Sequence, residues 1–449
     1  MAFEITNEFL ENLVGFIDKN NDSKIKNLFE DVHFADIAEV LDEVSFDEAI
    51  YIIKLLDSEK TSEILTELDE DTREKILENF SAKEIANEVE EMDSDDAADI
   101  IGELSEARQK RVINELEDTE LAEDIKELLS YGDDTAGSLM AKELVKVYET
   151  WTVAGCMRRI RGQAQEVTRV HSIYVVDKED KLVGRLSLKD LIVAKSDQKI
   201  ADISKAKVDA VNVNEDDETV ARIMVKYDLE AIPVVDDNNV LLGRITIDDI
   251  VDLLKEEADK DYQMAAGLTQ DVDSDDSIFE LTKARLPWLF LGLIGGVGAF
   301  IIMEGFQDVF SKYASLFFFT PLIAAMAGNV GVQSSAIIVQ GLANDVVKGS
   351  LINRLVKEVG LSLINGFFLA VVLIIFGWIM GQELVLSLTV AGSMMGVIIV
   401  AALIGTFVPI ILNKRGIDPA IATGPFITTS NDIFGIYLFF YIAQTFLGF

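Results

Sequence analysis

Five long apolar stretches dominate the last third of this chain, and they constrain its fold more than any other feature. They cover approximately residues 286–303, 314–343, 359–381, 386–412 and 420–447. Each is long enough to cross about 30 Å of hydrocarbon as a helix. The sequence therefore predicts a five-helix transmembrane domain over residues 283–449, preceded by a large segment outside the bilayer.

The charges between these stretches predict their orientation. Basic residues precede the first, third and fifth stretches: Lys283, Arg285, Lys348, Arg354, Lys357, Lys414 and Arg415. The other two loops together contain one basic residue, Lys312. Because basic loops stay on the cytoplasmic side, we expect the N-terminus inside and the C-terminus outside the cytoplasmic membrane. The first ten residues, MAFEITNEFL, are unlike a signal peptide, so residues 1–284 are expected to be cytoplasmic.

Acidic residues outnumber basic residues by 39, and this excess is confined to residues 1–284. From Arg285 onward the chain has seven basic and seven acidic residues. The acidic segment excludes nucleic acid as a partner, because the phosphate backbone attracts basic proteins. One cysteine and two histidines are too few for zinc, copper or iron–sulfur sites. Any bound metal ion is therefore expected to be a hard cation held by oxygen atoms.

An internal repeat with a constant spacing runs through residues 37–128. Its four copies begin at Ile37, Thr61, Ile85 and Gln109, and several matching positions in the copies are apolar. Apolar positions three or four residues apart predict two short helices per copy. Stacked copies bury one continuous apolar stripe, so residues 1–130 are predicted to form an acidic, all-α superhelical domain.

A second repeat, with two longer copies, follows the first. Residues 172–192 read SIYVVDKEDKLVGRLSLKDLI, and residues 231–251 read AIPVVDDNNVLLGRITIDDIV. Each copy predicts two strands joined by a polar turn and followed by a helix. The pair resembles tandem CBS domains, which implies an α/β module over 131–258 with repeats near 138–197 and 200–258. Residues 249–282 are predicted to form a long acidic connecting helix and a polar linker.

The resemblance to CBS domains also implies candidate nucleotide contacts. A glycine–arginine pattern that ends in a hydroxyl residue and an aspartate occurs in both copies, and in that family these two side chains can hold an adenosine ribose. The residues at these positions are Ser187, Asp190, Thr246 and Asp249, which makes ATP a candidate ligand. The alternative is that these side chains only complete a packed corner between a strand and a helix.

Polar residues inside the predicted spans indicate a path for cations. Asp432 is the only carboxylate well inside any predicted span, and no lysine or arginine lies within a span to pair with it. A charge at this depth is costly and usually faces a cavity or a pathway. Further polar side chains are Asn329 in the second span and Thr428 and Asn431 in the fifth. An oxygen lining of this kind suits a hydrated divalent cation, such as Mg²⁺, Ca²⁺, Mn²⁺ or Co²⁺.

Three motifs of the membrane domain resemble the MgtE family of magnesium channels. They are RLPWL from Arg285, PLIA and GNVGVQS between Pro321 and Ser334, and DPA and GPFITT followed by an aspartate between Asp418 and Asp432. The resemblance covers nearly the whole chain, because the order of domains also matches. It implies a homodimer with a pore on the two-fold axis, lined by the second and fifth spans. In that family the aspartate at the position of Asp432 binds hydrated Mg²⁺, and Asn329 falls in a polar motif of the second span.

In MgtE-like proteins, Mg²⁺ bound between the N domain, the CBS pair and the connecting helices holds the channel closed. The corresponding carboxylates of this chain are Asp95, Asp96, Asp99, Asp228, Asp249, Asp252, Glu257 and Asp261. Lys260 stands where the family is expected to have an acidic residue. This departure predicts a weaker or rearranged site on the connecting helix.

Two other functions remain open from the residues alone. A secondary transporter could exchange Mg²⁺ for Na⁺ or H⁺, with Asp432 as the coupling site. A membrane-anchored sensor could use the CBS pair to detect a ligand, with the spans as an anchor. Enzymatic activity is not expected, because the sequence has no Walker A loop, no nucleophile elbow and no Cys/His constellation.

Overall fold

The computed structural model describes residues 3–448 except 166, 168, 271, 273–275, 344–346, 348 and 423. It forms two compact units, Met1–Leu254 and Lys255–Phe449. The first unit contains a helical domain and a pair of α/β repeats, and the second contains the long apolar helices. The predicted polar linker falls partly on 271 and 273–275, and so lies partly outside the described residues.

Paired short helices form the N-terminal domain, which confirms its predicted all-α class. They are α1 Asn7–Ile17, α2 Asp22–Phe29, α3 Phe34–Glu43, α4 Phe46–Leu55, α5 Ser58–Glu67, α6 Glu70–Glu78, α7 Ala82–Val89, α8 Ser94–Gly102, α9 Glu106–Glu115 and α10 Thr119–Leu128. The N-caps of α3, α5, α7 and α9 recur with the period of the sequence repeat: His33, Asp57, Ser81 and Ser105. Asp57 and Ser81 each accept a hydrogen bond from the backbone N–H three residues later, which satisfies a free donor of the first turn.

The helical repeat begins one pair earlier than the sequence indicated. The interval from the start of α2 to the start of α4 equals the interval from α4 to α6. Leu13 and Phe29 are fully buried in the same core as Ile53 and Ile101. The sequence did not show the pair of α1 and α2, because α1 begins further from α3 than α3 does from α5. The constant spacing of the repeat therefore does not extend to α1.

Each α/β repeat has a small sheet among its described residues. The strands are β1 Val145–Tyr148, β2 Ile173–Val176, β3 Leu182–Leu186, β4 Val211–Asn212, β5 Ala231–Val235 and β6 Leu241–Thr246, and the helices are α11 Val153–Gln163, α12 Leu188–Val193, α13 Ile200–Ile203 and α14 Asp217–Tyr227. The strand orders are β1-β2-β3 and β4-β5-β6. In each sheet the first strand is parallel to the central one and the third is antiparallel. The predicted pair of α/β repeats is therefore confirmed.

The two repeats meet at their equivalent polar turns. Asp180 and Asn239 both adopt left-handed backbone conformations, with φ of 58° and 66°, which these two residue types tolerate better than most. The N–H of Leu182 donates to the carbonyl of Asn239 at 2.9 Å, and the N–H of Leu241 donates to that of Asp180 at 3.0 Å. These reciprocal bonds join the repeats as two copies of one motif.

Helix α15, Ile247–Ala266, follows the last strand directly. The next elements are α16 Ile278–Gly305, α17 Gln307–Lys312, α18 Ser315–Ala343, α19 Leu351–Ile379, α20 Leu384–Lys414, a 3₁₀ turn Pro419–Ala422 and α21 Gly424–Leu447. Among the described residues, five of these helices are long and apolar enough to cross a membrane: α16, α18, α19, α20 and α21. This confirms the predicted class of the last third. Helix α20 packs against α18, α19 and α21.

The third apolar helix is longer than the sequence indicated. The span was predicted at 359–381, whereas α19 begins at Leu351. Hydropathy missed the first two turns because they contain Arg354, Lys357 and Glu358, although long charged side chains can lie along a helix with their ends at the membrane surface. Glu358 is therefore a carboxylate within the first turns of an apolar helix, in addition to Asp432, which the sequence singled out.

Candidate cation-binding sites

Two helices of the first unit begin with acidic residues. Helix α8 follows its N-cap Asp93 and has Asp95 and Asp96 in its first turn, and α15 has Asp249 in its first turn. Thr246 donates to Asp249 Oδ2 from its N and Oγ1 atoms, at 2.9 and 2.7 Å. Carboxylates are favoured at these positions because a helix N-terminus exposes backbone N–H groups and the positive end of the dipole.

Among the described residues, Asp93, Asp95 and Glu143 form a close group of carboxylates. One oxygen of each lies within 4.8 Å of the other two. Glu143 is held by Ser94, whose N and Oγ donate to Glu143 Oε2 at 3.2 and 2.8 Å. Ser94 is fully buried, and its Oγ also accepts from the N–H of Lys142 at 2.8 Å. The group has the oxygen chemistry and the dimensions that a hard divalent cation requires.

Burial and mutual repulsion raise the pKa of three aspartates at the start of α8, Asp93, Asp95 and Asp96. Burial raises the pKa of Asp93 to about 6, although Arg244, at 3.7 Å, opposes this rise. Burial, followed by the charge of Asp249, raises the pKa of Asp96 to about 7 and holds the pKa of Asp95 well above its usual range. A bound cation would relieve this repulsion at neutral pH. We call Asp93, Asp95, Asp96, Glu143 and Asp249 the acidic cluster.

Three other residues that the sequence predicted lie in different surroundings. Asp99 is exposed one turn after Asp96 on α8, and its charge adds to the repulsion there. Asp252 interacts with Glu67 of α5. Burial and then the charge of Asp252 raise the pKa of Glu67. Asp228 is the exposed C-cap of α14, with a left-handed φ of 50°, and does not belong to the acidic cluster.

The second half of α15 contains a lysine side chain that pairs with two carboxylates of the same helix. Lys260 Nζ lies 2.9 Å from Glu256 and 3.1 Å from Glu257. Burial alone would lower the pKa of Lys260, but hydrogen bonds to these two carboxylates outweigh it and raise the pKa. Glu257 therefore already has a cationic partner on its own helix. Asp261 interacts with Asp418 instead. Burial and then the charge of Asp418 raise the pKa of Asp261.

The end of α15 packs against the start of α21. A Cβ at Gly424 would overlap the carbonyl of Ala265, and a Cβ at Gly267 would overlap the ring of Pro425. Gly267 also has a φ of 88°, which other residues rarely adopt. These two glycines therefore permit a direct contact between the connecting helix and the first turn of α21, two turns before Asp432.

The candidate nucleotide residues are engaged in helix caps. Ser187 donates to Asp190 Oδ2 from its N and Oγ at 3.2 and 2.7 Å, and its Oγ accepts from the N–H of Asp190 at 3.1 Å. At the start of α15, the N and Oγ1 of Thr246 donate to the carboxylate of Asp249 in the same way. Ser187 is exposed, whereas Thr246 is buried. A ligand in solution can therefore reach the first pair more easily than the second.

In the second unit, Asn431 fastens α21 to α18. Its Nδ2 donates to the carbonyl of Ala327 at 3.3 Å, and its side chain is 1% exposed. Gly331 of α18 permits this contact, because a Cβ there would overlap the amide of Asn431. Asn431 therefore lies between two helices instead of lining a surface. Asp432, the next residue, is half-buried.

Asn329 lies on an exposed face of α18. Gln333 and Gln340 follow it at successive intervals of one and two helical turns and are also exposed, so the three side chains share one face. Thr428 of α21 is half-buried, and its Oγ1 donates to the carbonyl of Gly424 within the same helix at 3.0 Å. Polar groups on a membrane helix are unfavourable against lipid. We therefore expect the face with Asn329, Gln333 and Gln340 to meet protein or water, and we call it the polar stripe.

Sequence reasoning missed Asp93, Glu143 and Glu67. Asp93 matches Asp69, the N-cap one pair earlier, so its position indicates a helix cap and nothing more. Glu143 lies just before β1 of the first α/β repeat, where no pattern distinguishes it. Their proximity depends on how the helical domain packs against the α/β repeats, which no local pattern records.

Known families and proteins match the chain in the same order as its domains. The MgtE intracellular N domain matches residues 32–134, the CBS domain matches 136–197 and 200–256, and MgtE, a divalent cation transporter family, matches 320–442. The chain is 36% identical over 321 residues to the magnesium transporter MgtE of Bacillus subtilis, and 37% identical over 321 residues to that of Enterococcus faecalis. Both alignments cover 71% of each sequence. A solved cytosolic domain of the Mg²⁺ channel MgtE in complex with ATP is 31% identical, with a TM-score of 0.52, and covers 54% of this chain and 99% of its own.

Proposed function

Because the chain belongs to the MgtE family of magnesium transporters, we propose that it is a Mg²⁺ channel of the cytoplasmic membrane. Two copies form a pore lined by α18 and α21, and intracellular Mg²⁺ closes it. The chain is a transporter and not an enzyme. The observation that carries the proposal is Asp432, a half-buried carboxylate in an apolar helix that Asn431 fixes against α18.

The polar stripe of α18 supports a pore between two copies. Asn329 and Gln333 are exposed in a helix that is otherwise suited to lipid, so a second copy and water would cover them better than lipid does. The CBS repeats also expose apolar side chains at equivalent places, with Ile192 65%, Val193 73% and Val251 57% exposed. A homodimer would bury these side chains as well, and its two-fold axis would place two copies of Asp432 around one path.

A pair of carboxylates suits magnesium in particular. Mg²⁺ dehydrates reluctantly and is often bound through its waters by one or two carboxylates. Two copies of Asp432 would supply these carboxylates, and the amide oxygen of Asn329 and the hydroxyl oxygen of Thr428 would accept hydrogen bonds from the bound waters. The ion is therefore proposed to pass with most of its waters retained.

Gating by Mg²⁺ follows from the electrostatics of the acidic cluster. Without a cation, repulsion among its carboxylates opposes the packing of α8 against α15, and a bound Mg²⁺ favours that packing. Helix α15 has Asp249 in its first turn and contacts the start of α21 at its end, so its movement would reach the pore helix. If Mg²⁺ binds the closed state more tightly than the open state by about 5.5 kcal/mol, the closed fraction rises from about 1% without Mg²⁺ to about 99% with it. Several weak sites, including Asp252 and Asp261, could supply this preference jointly.

We also propose that the N-terminus is cytoplasmic and that ATP binds at Ser187 and Asp190. The loop charges support the orientation. The similar cytosolic domain in complex with ATP, together with the exposure of Ser187, supports the nucleotide site. Ser187→Ala should therefore weaken ATP binding in isothermal titration calorimetry, whereas Thr246→Ser should leave it near the wild-type value. Equal ATP affinity in Ser187→Ala would contradict this assignment.

Mg²⁺ flux into liposomes tests the channel function directly. Asp432→Asn removes the proposed pore charge and should abolish most of the flux. Glu383→Gln is the matched control, because it removes a carboxylate from the loop before α20. Normal flux through Asp432→Asn would refute the pore. A flux of the wild type that needs a Na⁺ or H⁺ gradient would instead favour a coupled transporter over a channel.

A further inference from the structure

A hydrogen bond connects α18 directly to α19. Ser334 Oγ donates to Glu358 Oε1 at 2.6 Å. Ser334 is buried and Glu358 is half-buried. A bond from a hydroxyl to a carboxylate is short and strong. Both helices otherwise pack mainly against α20, so this bond fixes them to each other.

The bond lies just beyond a glycine that weakens α18. Gly331 precedes Ser334 by one turn and packs closely against Asn431 of α21 and Gly405 of α20. Any side chain at Gly331 would overlap Asn431, but glycine also makes a helix easier to deform. Gly331 is therefore held between α20 and α21, and Ser334, one turn later, is bonded to Glu358 of α19.

Ser334 also determines where its neighbour points. Gln333 precedes it on α18 and belongs to the polar stripe. Successive residues of a helix differ in direction by about 100°, so the direction of Ser334 fixes that of Gln333. A carboxylate on α19 therefore controls the orientation of a polar side chain on α18.

We propose that Glu358 is a positioning residue for conduction. It holds Ser334, and through it orients the C-terminal half of α18, so that Gln333 faces the ion path. This role rests on the proposed function, because it takes the polar stripe as part of the pore lining. Glu358 itself does not contact the ion.

A double-mutant cycle on the full-length protein in liposomes tests this role. Ser334→Ala and Glu358→Met each remove one partner, and each should lower the initial Mg²⁺ flux about tenfold. The double variant should be no slower than either single variant, because the second change removes nothing further. Ser334→Thr keeps the hydroxyl and Glu358→Gln keeps a carbonyl acceptor, so both should retain most of the flux. Ser393→Ala is the matched control, because Ser393 Oγ of α20 is buried without a hydrogen-bond partner among the described residues.

The thermal unfolding of each variant in detergent separates positioning from folding. Flux losses that follow only the loss of folded protein would overturn the proposal, and so would single losses that multiply in the double variant. A Glu358→Gln variant as impaired as Glu358→Met would show that the charge matters instead of the hydrogen bond, and would also overturn it. Asp432→Asn, measured in parallel, identifies which idea has failed. Normal flux through Asp432→Asn would refute the proposed pore. Normal flux through Ser334→Ala, together with no flux through Asp432→Asn, would refute only the role of Glu358.

Discussion

Asp93→Asn should stabilise the packing of α8 against α15 in the absence of Mg²⁺. Asp93 lies in the acidic cluster, and burial raises its pKa from 3.8 to about 6. One pKa unit corresponds to about 1.4 kcal/mol, so keeping this group charged above pH 7 costs the packed state about 3 kcal/mol. Asparagine caps a helix as well as aspartate does, so the variant should remove the charge without disturbing α8.

The size of the effect follows from this cost. A gain of about 3 kcal/mol corresponds to about a hundredfold higher ratio of packed to separated molecules. The raised pKa already includes the attraction between Asp93 and Arg244, which lie 3.7 Å apart, but the Asp93 side chain is 32% exposed, so solvent screens part of the repulsion. The net change should therefore be smaller, and we expect about a tenfold increase.

Hydrogen exchange measured by mass spectrometry on the full-length protein in nanodiscs reports this packing. In the wild type, peptides from the first turns of α8 and α15 should gain protection when Mg²⁺ is added. In Asp93→Asn they should be protected without Mg²⁺ and gain little more. Asp118→Asn is the matched control, because Asp118 is also a helix N-cap, that of α10, and lies outside the acidic cluster. Equal or faster exchange in Asp93→Asn without Mg²⁺ would refute the idea that repulsion separates these helices.

Three further predictions concern pH, the helical domain and the membrane helices. The raised pKa of Asp93 favours its neutral form in the packed state, so this stabilisation is present at low pH and lost as the pH rises through about 6; without Mg²⁺, and after correction for the base-catalysed intrinsic rate of amide exchange, α8 should therefore be more protected at about pH 5.5 than at about pH 8. Arg73→Met should lower the free energy of unfolding of the helical domain by about 3–5 kcal/mol, because it leaves Glu103 largely buried without its partner, and denaturation followed by circular dichroism measures the loss. Gly405→Ala would force a Cβ against the backbone of α18 and should cost about 1–3 kcal/mol, seen as a lower Tm in detergent, whereas Gly292→Ala, with open space around it, should not change the Tm.

Local rules explain why so much of the fold could be predicted. The cap positions at Asp57 and Ser81 recur with the same spacing as the apolar core positions, so every copy of the helical repeat carries the same signal. The turns at Asp180 and Asn239 occupy equivalent places for the same reason. The start of α19 was misplaced because Arg354 interrupts the apolar pattern on which the prediction depended.

The acidic cluster could be predicted only in part, because it forms where the repeat is broken. The second helices of successive pairs begin at Phe46, Glu70 and Ser94, and the first two side chains are exposed. Ser94 is fully buried, and its backbone N–H and hydroxyl donate to Glu143, which lies just before β1 of the first α/β repeat. A phenylalanine or a glutamate would not fit against that carboxylate, so a small hydroxyl residue at this position is a condition for the site. A repeat domain therefore reveals its fold through the positions that all copies share. It reveals its contact with another domain through the one copy in which a position that is exposed in the other copies holds a small, buried side chain.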